Sequence, residues 1–363
     1  MTSELIPAVI AISGGLLLAF VLFVPFVAVQ YRRRGALGFG PVVLGVGLLI
    51  YALALVSYTL LPLPHITDNF CSVHRATPQL HLLQFVRDIK RDDSGGLAGL
   101  PSDPAVLQFV FNIVLFVPFG MFARHLFRRG VAVSTLLGLA ASLVIELTQL
   151  TGDWFLFPCA YRLFDVDDLL ANSTGALIGA LIAPVLRLVP GQQGGDPGEP
   201  RPITARRRLL GMLCDWAVGA GAGSFLSIVY RVIVAEGGLD VSPGVDATVL
   251  ALLNRVVPSV LFLVLLMVAG RTVGEMVVRL RPRRPPDARG VLWRWAVGIG
   301  GYLLLQAPTT GGPHLLAAAL AVVSVVMVFR SRGHRGLAYQ VSRWELADDR
   351  SALDQASVRP GSG

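Results

Sequence analysis

The sequence predicts an all-α, polytopic helical membrane protein. Hydrophobic residues make up 54% of the 363-residue chain, mean hydropathy is +0.65, and only 15% of residues are charged. A soluble domain carries about a quarter charged residues. The apolar residues also run in stretches long enough to cross a bilayer, and the loops between them alternate between arginine-rich and arginine-poor. The net charge of +8 is therefore read as topology, and no nucleic-acid partner is expected.

Nine apolar segments stand out, at about 5–29, 41–61, 104–126, 131–151, 168–189, 210–235, 248–270, 291–307 and 314–329. Backbone polar groups in hydrocarbon must be satisfied within the segment, so each is expected to be a helix. The first reads as a membrane helix. Met1-Thr2-Ser3-Glu4 lacks a positive n-region, and Leu5–Val29 exceeds an h-region in length.

The basic residues orient these helices. Arg32, Arg33 and Arg34 follow the first segment, and Arg124, Arg128 and Arg129 follow the third. Arg187, Arg201, Arg206, Arg207 and Arg208 lie between the fifth and sixth, and Arg271, Arg279, Arg281, Arg283, Arg284, Arg289 and Arg294 lie between or beside the seventh and eighth. Arg330, Arg332, Arg335, Arg343, Arg350 and Arg359 close the chain. Most of the 31 Lys and Arg residues thus fall on one side, which the positive-inside rule makes cytoplasmic. Nine spans then put the N-terminus outside and the C-terminus in the cytoplasm. The expected location is the bacterial plasma membrane, with the lipid bilayer as partner.

A Gly/Pro-rich stretch at 191–203 reads as a cytoplasmic linker. It divides a five-helix module, 1–190, from a four-helix module, 204–345, and a disordered tail is expected over 346–363. The outer loop from Pro62 to Asp103 holds the run Arg87-Asp88-Ile89-Lys90-Arg91-Asp92-Asp93, with a short interfacial helix expected over Leu80–Ile89. Its His65, His74 and His81 lack metal-ligand spacing. No metal or cofactor is predicted.

The polar residues of the first module sit too deep in apolar sequence to be incidental. Asn112 lies about 12 Å inside the third helix, and Glu146 about 7 Å below the outer end of the fourth, at 1.5 Å per residue. Asn172 reaches about the same depth on the fifth. Asn112, Glu146, Gln149, Asp168 and Asn172 therefore converge near the outer leaflet, with Arg162, Asp165 and Asp167 in the loop beside them. Glu146 and Gln149 share a helix face, as do Asp168 and Asn172. Two readings stand side by side. In the structural one, Asp165 or Asp167 caps the fifth helix, Arg162 pairs with Glu146 or Asp168, and Gly175 and Gly179 form a close helix contact. In the functional one, the four acids outnumber Arg162 and leave a negative pocket open to the outside. Such a pocket suits a cation, a cationic ligand or a metal-bridged lipid phosphate.

The order Asn112…Phe116-x-Pro118-x-Gly120, Glu146-x-x-Gln149, Arg162-x-x-Asp165-x-Asp167-Asp168 and Asn172-x-x-Gly175 resembles the VanZ-like family over about 40–188, and Tyr58-Thr59-Leu60 is similar to it as well. That family is named for a protein linked to low-level teicoplanin resistance. The resemblance implies a cell-envelope role, and it supplies no reaction.

In the second module, Arg208-Leu209-Leu210-Gly211-Met212-Leu213-Cys214-Asp215 and Gly270-Arg271-Thr272-Val273-Gly274-Glu275 resemble the RDD family over about 203–345. Where that family carries a later acidic residue, this chain has Tyr339. Arg208 and Asp215 are expected to form an ion pair at the inner end of the sixth helix. Cys214 reads as packing. Cys71 and Cys159 both fall on the outer face, where disulfides persist, and they form a candidate bridge.

Walker, dinucleotide, His-Glu-x-x-His and nucleophile-elbow motifs are absent from the sequence. The leading expectation is a non-enzymatic envelope protein that binds a lipid-linked cell-wall precursor or a glycopeptide and lowers drug access. A lipid-processing enzyme using Glu146 or Asp168 as base is the second class, for which no nucleophile stands out. A cation-coupled transporter using Glu146, Asp168 and Asp215 is the third, although the sequence carries no inverted repeat.

Overall fold

The computed structural model describes residues 2–60, 66, 68–74, 76–91, 103–160, 162–283, 286–307 and 311–352. The side chains of 2–16, 73, 74, 90, 91, 311 and 352 lie outside the described part. So do His65, Asp92, Asp93, Arg284 and Arg359, which the sequence reading used. The protein is an all-α membrane protein. Among the described residues, seven helical stretches, from Phe39–Leu60 to Gly312–Arg330, are long and apolar enough to cross a membrane. The first apolar segment lies within a further helix, α1, Thr2–Arg34.

The chain divides into two compact units, Met1–Gly15 with Phe39–Gln192, and Leu16–Gly38 with Gln193–Gly363. The later part of α1 therefore groups with the second unit, a division that its uniform apolarity does not announce.

The first unit contains α2 (Phe39–Leu60), α3 (Phe70–His74), α4 (Gln84–Arg91), α5 (Pro104–His125), α6 (Val131–Leu150) and α7 (Val166–Ile182). The interfacial helix expected from Leu80 starts instead at Gln84. Asp103 starts α5 by accepting from Ala105 N at 2.8 Å, with Pro104 in the first helical position. α7 is wedged between α5 and α6, and small residues set the spacing. A Cβ at Gly175 would lie 2.1 Å from the Ile113 carbonyl oxygen, and one at Gly179 1.9 Å from that of Val117. On the other flank, a Cβ at Gly138 of α6 would lie 2.3 Å from the Ala176 Cβ. At the far end, Arg124 Nη1 donates to the Ala180 carbonyl at 2.6 Å.

The second unit contains α8 (Ala205–Glu236), α9 (Pro243–Ala251), α10 (Val257–Ala269), α11 (Val273–Val277), α12 (Ala288–Ala296), α13 (Ile299–Leu305), α14 (Gly311–Arg330) and α15 (Gly336–Val341). A π turn, Leu252–Val256, joins α9 to α10. α11 sits directly on α8, where a Cβ at Gly274 would lie 1.9 Å from the Gly211 carbonyl oxygen. The apolar core gathers Val27 and Tyr31 from α1 with Cys214, Leu266, Val278, Leu280, Tyr339 and Trp344.

The segment at 291–307 was expected to be one span, yet it breaks at Val297–Gly298 into α12 and α13. Gly298, Gly300 and Gly301 supply the weak helix propensity. A Cβ at Gly301 would lie 1.7 Å from the Ala296 carbonyl oxygen, so the chain doubles back more tightly than a side chain permits.

The tail was expected to be disordered over 346–363, of which 353–363 lie outside the described residues. Leu346–Asp348 instead pairs antiparallel with Leu280–Pro282, Leu280 opposite Asp348, and a short 3-10 turn follows to Ala352. The reason is electrostatic. The Asp348 carboxylate accepts from Arg350 Nε at 2.7 Å, from Arg350 Nη2 at 2.6 Å and from Arg207 Nη1 at 2.7 Å. Burial acts to raise this carboxyl, and the hydrogen bonds from Arg350 and Arg207 outweigh it, so Asp348 is held well below the usual carboxylate range. A depressed acid stabilises the fold above its unfolded value, near about 3.9. That contribution is lost as pH falls toward the folded value.

Asp348→Ala is expected to remove about 3–5 kcal/mol, because it leaves two buried guanidiniums unpaired. Denaturation of the purified protein measures this, and an unchanged midpoint would contradict the role assigned to Asp348. The wild type should also lose stability below about pH 4, and Asp348→Asn should lose less of its own over that range. In the first unit, Gly179→Leu should abolish accumulation of folded protein. Gly312→Leu, where a Cβ meets nothing within 4 Å, should be tolerated. Equal recovery of the two variants would mean that α5 and α7 do not need their close approach.

Candidate functional site

The candidate residues of the first unit come together in pairs. Asp168, in the first turn of α7, accepts a short hydrogen bond from Asn112 Nδ2. Gln108, one turn before Asn112 on α5, lies near Asp168. Glu146, 2% exposed on α6, accepts from the Asp165 N–H at 2.9 Å. Asn172 donates from Nδ2 to Ser142 Oγ at 2.8 Å, and its own Oδ1 is buried without a partner. Ser142 stands one turn from Glu146, and Asn172 one turn from Asp168. Gln149 is turned elsewhere and donates to the Thr59 carbonyl of α2 at 3.0 Å. Arg162 is half-buried in the loop before α7.

The acids next to α7 are held by backbone. Asp165 Oδ1 caps the helix by accepting from Asp167 N at 2.8 Å. Burial raises the Asp165 carboxyl above its ordinary range, the Asp167 N–H opposes that rise, and the nearby Asp167 carboxylate adds to it. Asp167 reaches across the outer loop and accepts from Leu83 N at 2.6 Å and from Phe85 N at 2.9 Å, which fixes the start of α4. Gln79 donates to Asp165 Oδ1 at 3.1 Å and pairs with it through the backbone, Val166 N to Gln79 O at 3.2 Å. Phe85 stacks on Phe109 of α5 with ring centroids 4.2 Å apart.

A disulfide between Cys71 and Cys159, Cα atoms 5.8 Å apart, ties the same loop to the chain before α7. The outer loop is thus strapped beside the acidic residues at three points.

Among the described ion pairs, none joins Arg162 to Glu146 or Asp168, a pairing that was one of the expectations. Nor do three or more His, Cys, Asp or Glu side chains among the described residues form a group that would hold a metal ion. Sequence reasoning missed Gln108, Ser142 and Gln79. Gln108 and Ser142 were signalled by their spacing, each four residues before a named site residue. Nothing in the sequence signals Gln79, which arrives through the fold of the loop.

Residues 48–187 match the VanZ/LLP1 family. This part of the chain is VanZ-like, and it contains α5, α6, α7 and every candidate residue of the first unit. No curated protein and no solved structure matches the chain.

In the second unit, the expected Arg208–Asp215 ion pair is replaced by another. Arg208 Nη1 pairs with Glu275 at 3.3 Å, and Arg294 Nη2 meets both Glu275 oxygens, at 2.8 and 2.7 Å. Asp215 instead accepts from Thr272 Oγ1 at 2.7 Å and from Gly274 N at 2.6 Å. The cause is α11, whose Thr272–Glu275 capping box presents an N–H and a hydroxyl to Asp215. Burial acts to raise the Glu275 carboxyl, but Arg294 and Arg208 overcome it and hold Glu275 below its ordinary value.

Alkylation should tag two further cysteines only after reduction, and equal tagging before reduction would contradict the bridge. Cys71→Ser should cost about 4–5 kcal/mol in the chain-entropy account of a loop closed over 88 residues. Denaturation of the oxidised and reduced wild type gives the comparison.

Proposed function

We propose that this VanZ-like membrane protein acts at the outer face of the plasma membrane, where it contributes to glycopeptide tolerance of the teicoplanin type. In this reading Glu146 and Asp168, with Asn112 and Asn172, receive a cationic or donor-rich group of a glycopeptide or lipid-linked wall precursor, and no covalent chemistry is involved. The observation that carries it is the gathering of buried polar side chains from three apolar helices, Asn112 on Asp168 and Asn172 on Ser142 one turn from the buried Glu146. Polar groups so deep in apolar helices mark function or a specific internal contact, and Asn172 Oδ1, buried without a partner, can accept from a donor that a ligand brings. The disulfide at the loop supports an oxidising, extracytoplasmic setting, as does the arginine bias of the opposite loops.

The same acids support a second reading, in which the site loads a cation and drives transport. For the second unit we retain the likeness to the RDD family. It is supported by the meeting of the two segments that carry it, with Asp215 bound to Thr272 and Gly274, and Arg208 to Glu275.

The test uses cells expressing wild type, Glu146→Gln or Asp168→Asn at matched membrane levels. Teicoplanin susceptibility and surface binding of a fluorescent teicoplanin are read together. Protection by wild type, lost in both variants, is the expected outcome. Protection retained by both variants returns the acids to a purely structural role. No protection by wild type, together with sodium movement that both variants abolish, replaces the first reading with the second.

A further inference from the structure

The second unit has an open-sided cavity of about 220 Å³ lined by α8, α13, α14 and α15, with single residues of α10, α11 and α12. Part of its lining is charged, from Arg208, Asp215, Glu275 and Arg294. Much of the rest is apolar, including Met212, Trp216, Leu320 and Val325, with Tyr302 and Ser324 set among these residues.

The acceptors and donors of this lining differ in how far they are satisfied. The acceptors are occupied. Asp215 takes Thr272 Oγ1 and Gly274 N, while Glu275 takes Arg294, Arg208 and Thr272 N. Several donors are not. Arg208 and Arg294 are 6% and 3% exposed, and the Nε–H of each is buried with no acceptor. Tyr302 Oη accepts from Gln306 Nε2 at 2.8 Å, which leaves its own proton to give. Ser227 and Thr248 of this unit bond the carbonyl four residues back, whereas no such bond occurs at Ser324 among the described contacts.

Leaving buried donors unmade is expensive, and guanidinium donors pair best with ionised oxygen. The apolar lining, in turn, would stay wet around a free inorganic ion. We propose that this cavity binds an oxyanion, carboxylate or phosphate, carried on an alkyl chain. The headgroup lies toward Arg208 and Arg294, Tyr302 and Ser324 donate to it, and the chain lies against Trp216 and Leu320. The ligand is thus an anionic, lipid-like amphiphile.

The experiment uses the purified full chain in dodecyl maltoside, titrated with dodecyl phosphate and followed by thermal unfolding. A saturable rise of about 5 °C in midpoint is expected, with none from inorganic phosphate or dodecanol at the same concentration. Ala321→Phe, which fills the cavity from α14, should unfold cooperatively and lose the shift. Ser324→Ala should weaken the apparent affinity roughly fivefold. An equal shift in Ala321→Phe would place the binding elsewhere. An equal shift from inorganic phosphate would remove the chain from the ligand, and one from dodecanol would remove the oxyanion. No shift at all would also overturn the proposal. Should Ala321→Phe fail to fold, unaltered affinity in Ser324→Ala is the overturning result.

Discussion

Inside an apolar setting every polar group must find its partner within the protein, and both units are organised around that constraint. They meet it with different chemistry. The first unit surrounds its acids with neutral donors. Asp165 N serves Glu146, Leu83 N and Phe85 N serve Asp167, and Asn112 serves Asp168. The second unit uses guanidiniums, with Arg294 and Arg208 on Glu275, and Arg350 and Arg207 on Asp348. Backbone donors oblige the chain to come to the acid, which is why the outer loop is drawn against α7. Arginines reach out to the acid, and in the second unit they draw distant pieces of chain together.

Much of the helical architecture was legible because apolar length is a strong signal in a membrane protein. The convergence of Asn112, Glu146, Asp168 and Asn172 followed from depth, since helix rise converts position along the chain into depth, whereas Gln149, expected with them, bonds the Thr59 carbonyl. Ion-pair partners were not legible in the same way. Arg208 and Asp215 are seven residues apart on one helix and look like natural partners. Yet the Thr272 hydroxyl and the Gly274 N–H occupy Asp215, and Arg208 pairs with Glu275 of α11. A charge pairs with whatever tertiary packing delivers, and packing of α8 against α11 through Gly211 and Gly274 is not written in charge spacing.

The break at Gly298 and the order of 346–352 escaped sequence reading for related reasons. An apolar segment of near-spanning length gives the same signal whether or not glycines interrupt it. Gly298, Gly300 and Gly301 mattered more than the hydrophobic run around them. The tail is charged and short of apolar residues, which reads as disorder. Arg350, however, is 1% exposed and bonded to Asp348, an arrangement that depends on Arg207 arriving from α8. Likewise Tyr339 stands where a family resemblance led one to expect an acid. Its ring lies 4.3 Å from the Arg294 guanidinium carbon and 5.1 Å from that of Arg208, so a π face supports these cations where a carboxylate was expected.

The two units are left with opposite deficits. In the first, acceptors are in excess. Glu146 takes a single hydrogen bond for two carboxylate oxygens among the described contacts, and Asn172 Oδ1 has no partner. In the second, Arg208 Nε and Arg294 Nε are donors without acceptors while Asp215 and Glu275 are filled. A ligand that relieves the first deficit must bring donors or positive charge, and one that relieves the second must bring acceptors or negative charge. A ligand of the wrong polarity would leave these groups as unpaired as they already are and so gain nothing from them. On the two proposals, the polarity of the spare groups would therefore discriminate between the ligands.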